Sequence, residues 1–146
     1  MNATTAEHPH GLYATVDGRD IALVDLAQHL EEQGLDRRAA QAQAAGIVLT
    51  ARAEQCRLAA RAAVWHGDEH HTRTERAAAK ILTSAAKRIM ACGADLERAD
   101  ELIARGFQAI VRVVPEEHLT KYAISDALIA LDGISPLFDV DYPALD

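Results

Sequence analysis

The strongest constraint on this chain is the stretch 36–66, in which small apolar residues recur at helical spacing with no proline and one glycine, Gly46. Asp36 supplies an N-cap, and Ala40, Ala44, Ile47, Ala51, Leu58, Ala62 and Trp65 follow three or four apart. A second strip, Ala45, Leu49, Cys56 and Ala63, lies on the far side. A seam made mostly of alanine lets a neighbouring helix approach closely. A helix that is apolar on two sides has to be sandwiched, inside a bundle or between subunits. The expectation is therefore a mainly α protein that self-associates, most simply as a two-fold dimer.

The rest of the chain reads as elements packed around this helix. Residues 1–11 form a flexible N-terminus, and a single helical domain spans 12–133. Within 12–23, Leu12-Tyr13-Ala14-Thr15-Val16 and Arg19-Asp20-Ile21-Ala22-Leu23 flank Asp17-Gly18, a dipeptide suited to a type I′ turn, so a β-hairpin is expected. Leu23, Leu26, Ala27 and Leu30 share one helical face, predicting a short helix over 24–33 that stops at Gly34. After Gly67-Asp68, Thr72 or Thr74 starts a helix over 73–92 carrying Ala78, Ile81, Leu82, Ala85, Ile89 and Cys92. Asp95 caps a helix over 95–113 with the stripe Leu96, Ala99, Ile103, Phe107, Ile110 and Val114, and Pro115 suits the first position of a helix over 115–131. The fold class expected is a four- or five-helix bundle with a small N-terminal β-hairpin and an extended C-terminal tail.

Charge is uneven along the chain. Residues 1–36 carry one Arg against seven acids, 37–88 carry ten Lys or Arg against four, and 89–146 carry four against eleven. On the predicted third helix, Arg73, Arg76, Lys80 and Lys87 fall on one side, opposite the apolar stripe, and make an anion-binding ridge. Either an anionic partner or the acidic parts of the same chain can neutralise it. The formal net charge of −7, a pI near 5.4 and the lack of aromatic residues among these cations argue against nucleic acid.

His66-Gly67-Asp68-Glu69-His70-His71 gathers three imidazoles and two carboxylates, the donors that borderline metals accept. His66-x-x-Glu69-His70 matches the zinc motif of inverted zincin peptidases, a resemblance of five residues. That motif needs a continuous helix, and Gly67-Asp68 interrupts it. The expectation is a polar loop with no bound metal. Were a metal held, His66, His70 and His71 would be the ligands, completed by His29 or Glu75. The pairs around His29 and Glu117-His118 are expected on solvated helix faces. Cys56 and Cys92 read as buried thiols of a reducing cytoplasm. There is no Gly-rich phosphate loop, no Gly-x-Ser-x-Gly and no legible Cys–His pair, so no catalytic residue is assigned.

Val16-Asp17-Gly18-Arg19, the helix after it, Gly34-Leu35-Asp36 and the alanine-rich helix resemble the opening of an ATP-cone, a nucleotide-binding regulatory module. The resemblance covers about a quarter of the chain and implies nucleotide binding at the hairpin. Thr15 and Val16 stand where that module carries basic residues.

Residues 134–146 interleave Leu137, Phe138, Val140, Tyr142 and Leu145 with Asp139, Asp141 and Asp146, the composition of a docking tail that binds a partner or its own bundle. No segment has a signal peptide's basic and apolar halves, and the longest uncharged run, 39–51, is shorter than a bilayer span. Together these features predict a cytoplasmic, non-catalytic interaction, adaptor or regulatory protein, or an accessory subunit. It is expected to work through another protein, with no cofactor and no membrane. The competing readings are a metal-binding bundle enzyme or sensor centred on the histidines, and a nucleic-acid or nucleotide binder using the basic third helix.

Overall fold

A computed structural model of the chain describes residues 12–134 and Pro136. Its elements run β1 (Tyr13–Val16), β2 (Arg19–Ala22), α1 (Leu23–Glu32), α2 (Arg37–Trp65), α3 (Glu69–Ala91), α4 (Leu96–Val113), a 3-10 turn (Glu116–His118) and α5 (Tyr122–Ile134). The mainly α architecture with an antiparallel N-terminal hairpin is the one expected from the sequence. The segment 1–11 and the tail residues Leu137, Phe138, Val140, Tyr142 and Leu145 lie outside the described residues. No helix among the described residues is long and apolar enough to cross a membrane.

Local chemistry sets the element ends. Asp17 and Gly18 both have positive φ, 52° and 79°, as a type I′ turn requires, and the strands pair in the register Tyr13↔Ala22 to Val16↔Arg19. The Asp36 carboxylate accepts from the Arg38 N–H, and that of Asp95 from the Arg98 N–H, so both expected caps form. The third helix starts earlier than expected, because Asp68 caps it by accepting from the His71 N–H. Thr72 and Thr74 lie inside α3, donating to the carbonyls of Asp68 and His70.

The final segment differs most. In place of one helix over 115–131, Pro115 is extended (φ −56°, ψ 141°), a single 3-10 turn follows, and α5 begins at Tyr122 with φ 60°. The fixed ring of Pro115 tolerates both the helical and the extended value of ψ; here ψ is extended, and the turn that follows buries His118. Helix α5 then continues through Gly133 to Ile134, which is fully buried and belongs to the bundle, not to a tail.

Helices α2 and α3 form an antiparallel pair that organises the core. Gly46, near the start of α2, faces Met90 and Ala86 near the end of α3, and Arg57 of α2 reaches Thr83 of α3. Helix α1, the hairpin and α5 wrap the N-terminal half of α2, while α4 packs against α3 and α5. Burial on two sides of α2 extends to about Cys56 and is lost toward its C-terminal end. Its strip Ala45, Leu49, Cys56 and Ala63 is buried throughout, but Leu58 and Ala62 are exposed and Trp65 is 89% exposed. Placing Leu58, Ala62 and Trp65 in a buried seam is thus corrected: α3 covers Ala60 and Ala63 at that end of α2, but no element of the described chain covers the face that carries Leu58, Ala62 and Trp65.

Two helix-interior glycines, Gly46 and Gly106, sit at helix contacts of different tightness. A Cβ at Gly46 would run into Met90 Cγ and lie 3.2 Å from the Ala86 carbonyl oxygen. One at Gly106 would meet Ala85 Cβ at 3.5 Å and Leu131 Cδ2 at 3.8 Å, ordinary contact distances. Alanine in a helix interior gains about 1 kcal/mol over glycine, whereas overpacking costs about 1–3 kcal/mol. Gly106→Ala is therefore expected to raise the urea midpoint, and Gly46→Ala to lower it. Adding Met90→Ala to the second variant should recover part of the loss. A stabilising Gly46→Ala would show that α2 and α3 are not held as close as described.

Candidate functional site

A line of buried polar side chains runs between α2, α3, the 3-10 turn and α5. On α2, Arg52 and Cys56 sit one turn apart with 1% and 0% exposure. On α3, the Asp68 cap starts the helix so that His71 and Glu75, also one turn apart, face inward together. His71 Nε2 and Glu75 Oε2 are 2.9 Å apart, and Glu75 is fully buried. The break at Pro115 lets the 3-10 turn carry His118 to the same place, 9% exposed. Four rings then meet. The His71 centroid lies 3.8 Å from that of Tyr122, and the His118 centroid lies 5.1 Å from His70, 5.7 Å from His71 and 5.6 Å from Tyr122. Tyr122 is a non-glycine residue with left-handed backbone, a conformation that costs energy and here sets its ring against His71.

Several groups in this line are poorly satisfied. All three guanidinium nitrogens of Arg52 lack a hydrogen-bond partner among the described residues, and the group lies 4.5 Å from the Tyr13 ring centroid. Glu75 Oε1 and His118 Nδ1 are likewise buried without partners. Leaving such a group unpaired costs about 1–3 kcal/mol, more when it is charged. Burial pushes the Glu75 carboxyl above the usual glutamate range, against the opposing pull of His71. Burial, reinforced by Glu75, also holds the Cys56 thiol well above its ordinary value, so it stays protonated and is no nucleophile.

His70, Glu117 and His118 each offer a ligand atom, and these atoms lie within 4.8 Å of one another. The grouping differs from the one read in the sequence. His70 is shared, but His71 is engaged with Glu75, His66 lies in the exposed end of α2, and neither His66 nor His29 belongs to the set. His29 is exposed, as expected of a helix face, with Gln33 Nε2 3.1 Å from its ring. For His118 the solvated-face expectation is overturned, since the 3-10 turn buries it.

The second feature is a groove of about 630 Å³ between α2 and α3, lined by Arg57, Arg61, Arg76, Lys80 and Lys87 with Thr83 and Ser84. Three of the four ridge residues thus meet in one place and are joined by two cations from α2. Arg73 instead lines an adjacent recess with Arg76, Asp68 and Glu69. Among the described residues, Arg73, Arg76, Lys80 and Lys87 form no ion pair, while Arg57 pairs with Glu54 at 3.0 Å and donates to Thr83 at 2.6 Å. The acids of α4 leave the ridge free: Arg98 takes Glu101 within α4 itself, at 3.0 Å. Comparison with family models, curated proteins and solved structures finds no match.

The raised Glu75 pKa fixes a sign for pH dependence. Between the ordinary value of 4.5 and its higher value in the fold, the native protein keeps a proton that the unfolded chain has released. Stability therefore falls as pH rises through that window. Glu75→Gln removes this term, so the variant's urea midpoint relative to the natural protein should climb as pH rises from about 4.5 and level off once the pH passes the raised value. Parallel pH profiles for the two proteins would show that burial does not govern this carboxyl.

Proposed function

We propose that this is a non-catalytic cytoplasmic regulatory or accessory protein that captures an acidic protein segment bearing apolar side chains in the groove between α2 and α3. The observation that carries this reading is the concentration of Arg57, Arg61, Arg76, Lys80 and Lys87 around one recess whose lining, among the described residues, includes no acid. Arg57 is paired with Glu54, but Arg61, Arg76, Lys80 and Lys87 form no ion pair among the described residues; such cations repel one another, and an anionic ligand relieves that repulsion. Exposed Leu58 and Trp65 flank Arg61 along α2, so an apolar landing surface adjoins the charge. Partners of this chemistry include a second copy of the chain, whose residues 135–146 combine three Asp with Leu137, Phe138, Val140, Tyr142 and Leu145. Self-association accordingly belongs to the proposal, carried by the exposed end of α2 and not by its enclosed half. The formal net charge of −7 and the absence of any aromatic residue from the groove lining favour a protein ligand over nucleic acid.

Trp65 is the chain's single tryptophan, so its emission reports on this surface alone. Adding a synthetic peptide of residues 134–146 to the full-length protein should shift that emission, and Arg76→Glu with Lys80→Glu should weaken the interaction about tenfold, corresponding to 1.4 kcal/mol. An unchanged isotherm in the doubly reversed variant would sink the groove as the binding site.

Light scattering at micromolar concentration should give an oligomer, and Leu58→Asp with Trp65→Asp should leave a folded monomer. A monomeric natural protein would end the self-association part. Leu49→Glu is no test of the interface, because Leu49 is fully buried within one chain and the substitution should unfold it.

A further inference from the structure

The groove leaves one built feature of the molecule unused: the meeting of the α3 N-terminus with the connector before α5. Here two imidazoles and one carboxylate come within 4.8 Å of one another at their ligand atoms, although His70 lies far along the chain from Glu117 and His118. A chance surface cluster would have all its members solvated. This one has a fixed anchor, since His118 is nine-tenths buried, packed edge-on against the stacked rings of Tyr122 and His71, and its Nδ1 has no hydrogen-bond partner among the described residues. His70 and Glu117 are exposed, so their side chains have room to change rotamer and an ion can approach from solvent.

We propose that His70, Glu117 and His118 bind a divalent transition-metal ion of the zinc class. Two nitrogen donors and one carboxylate oxygen suit borderline ions and do not suit magnesium or calcium, which take oxygen ligands. Metal–nitrogen bonds of roughly 2.0–2.1 Å in a tetrahedron place ligand atoms about 3.3 Å apart. Rotation of the two exposed side chains closes the remaining gap while His118 stays in place. Three protein ligands leave a coordination position for water or a small anion, the arrangement of an open site. His71 lines the site without joining it, because Glu75 holds its Nε2. The ion would tie the first turn of α3 to the connector, so binding adds stability to the folded state. This inference stands on the histidine cluster and not on the groove, and either can fail alone.

The test uses full-length protein purified without a histidine tag and titrated with zinc and, separately, with cobalt(II), whose visible absorption reports its coordination. The expected result is one ion per chain with a zinc-induced rise in melting temperature. His70→Ala and Glu117→Gln change exposed residues and should retain the natural circular dichroism spectrum while weakening zinc binding at least tenfold. His66→Ala should bind as the natural protein does. The proposal is overturned if the natural protein takes up no zinc, or if both His70→Ala and Glu117→Gln keep its affinity. Loss of binding in His66→Ala would overturn it too, placing the ion on the loop histidines His66, His70 and His71.

Discussion

Everything in this molecule hangs on how closely α2 and α3 approach each other. The surfaces that meet are alanine-rich, with Gly46 at the tightest point against Met90 and Ala86. An alanine removes little apolar area from water, so such a seam gains by dispersion between well-fitted surfaces more than by area. Its cohesion is correspondingly sensitive to fit, and one added methyl at Gly46 has nowhere to go. The larger aliphatic side chains, Leu82, Ile89, Ile103, Ile110, Ile124 and Leu131, form the core where α3, α4 and α5 gather. The short hairpin is held by the same logic. It has no other strand to pair with among the described residues, so Ala14 and Leu12 are buried against helices, with Leu12 lying against Gly133 of α5.

Helix α3 then presents three different chemistries around its circumference and along its length. One face is core. A second carries Arg76, Lys80 and Lys87 into the groove shared with α2. The first turns carry His70 and His71 toward the connector. These surfaces stay separate because the helix is long, and the Asp68 cap starts it early enough to include His70 and His71 in its first turn. A cap one turn later, at Thr72, would leave His70 and His71 in a loop and dissolve the cluster.

The parts of this arrangement legible in the sequence are those decided by neighbouring residues. Asp17-Gly18 dictates a turn by backbone conformation, and Asp36 and Asp95 dictate helix starts by side-chain capping. The alternation of apolar residues locates helices well, but it cannot say which strip is covered. Leu58 and Trp65 keep perfect helical spacing and still face solvent, because coverage depends on how far the neighbouring elements extend. The histidine cluster was half legible, through His70 and His71. Its buried member, His118, depends on Pro115 turning extended and on Tyr122 adopting positive φ, and no residue pattern announces the second. The basic ridge was visible as spacing on one helix, whereas Arg57 and Arg61 could join it only once α2 and α3 were known to lie side by side.

The buried thiol of Cys56 has a use that its inertness in the fold makes possible. Cys92 is partly exposed at the end of α3, so an alkylating reagent reaches it directly, while Cys56 is sealed in the α2–α3 seam and kept protonated there. Any reaction at Cys56 has to wait for the two helices to part. In a Cys92→Ser background, the rate of alkylation becomes a clock for the opening of the pair on which the other elements are mounted.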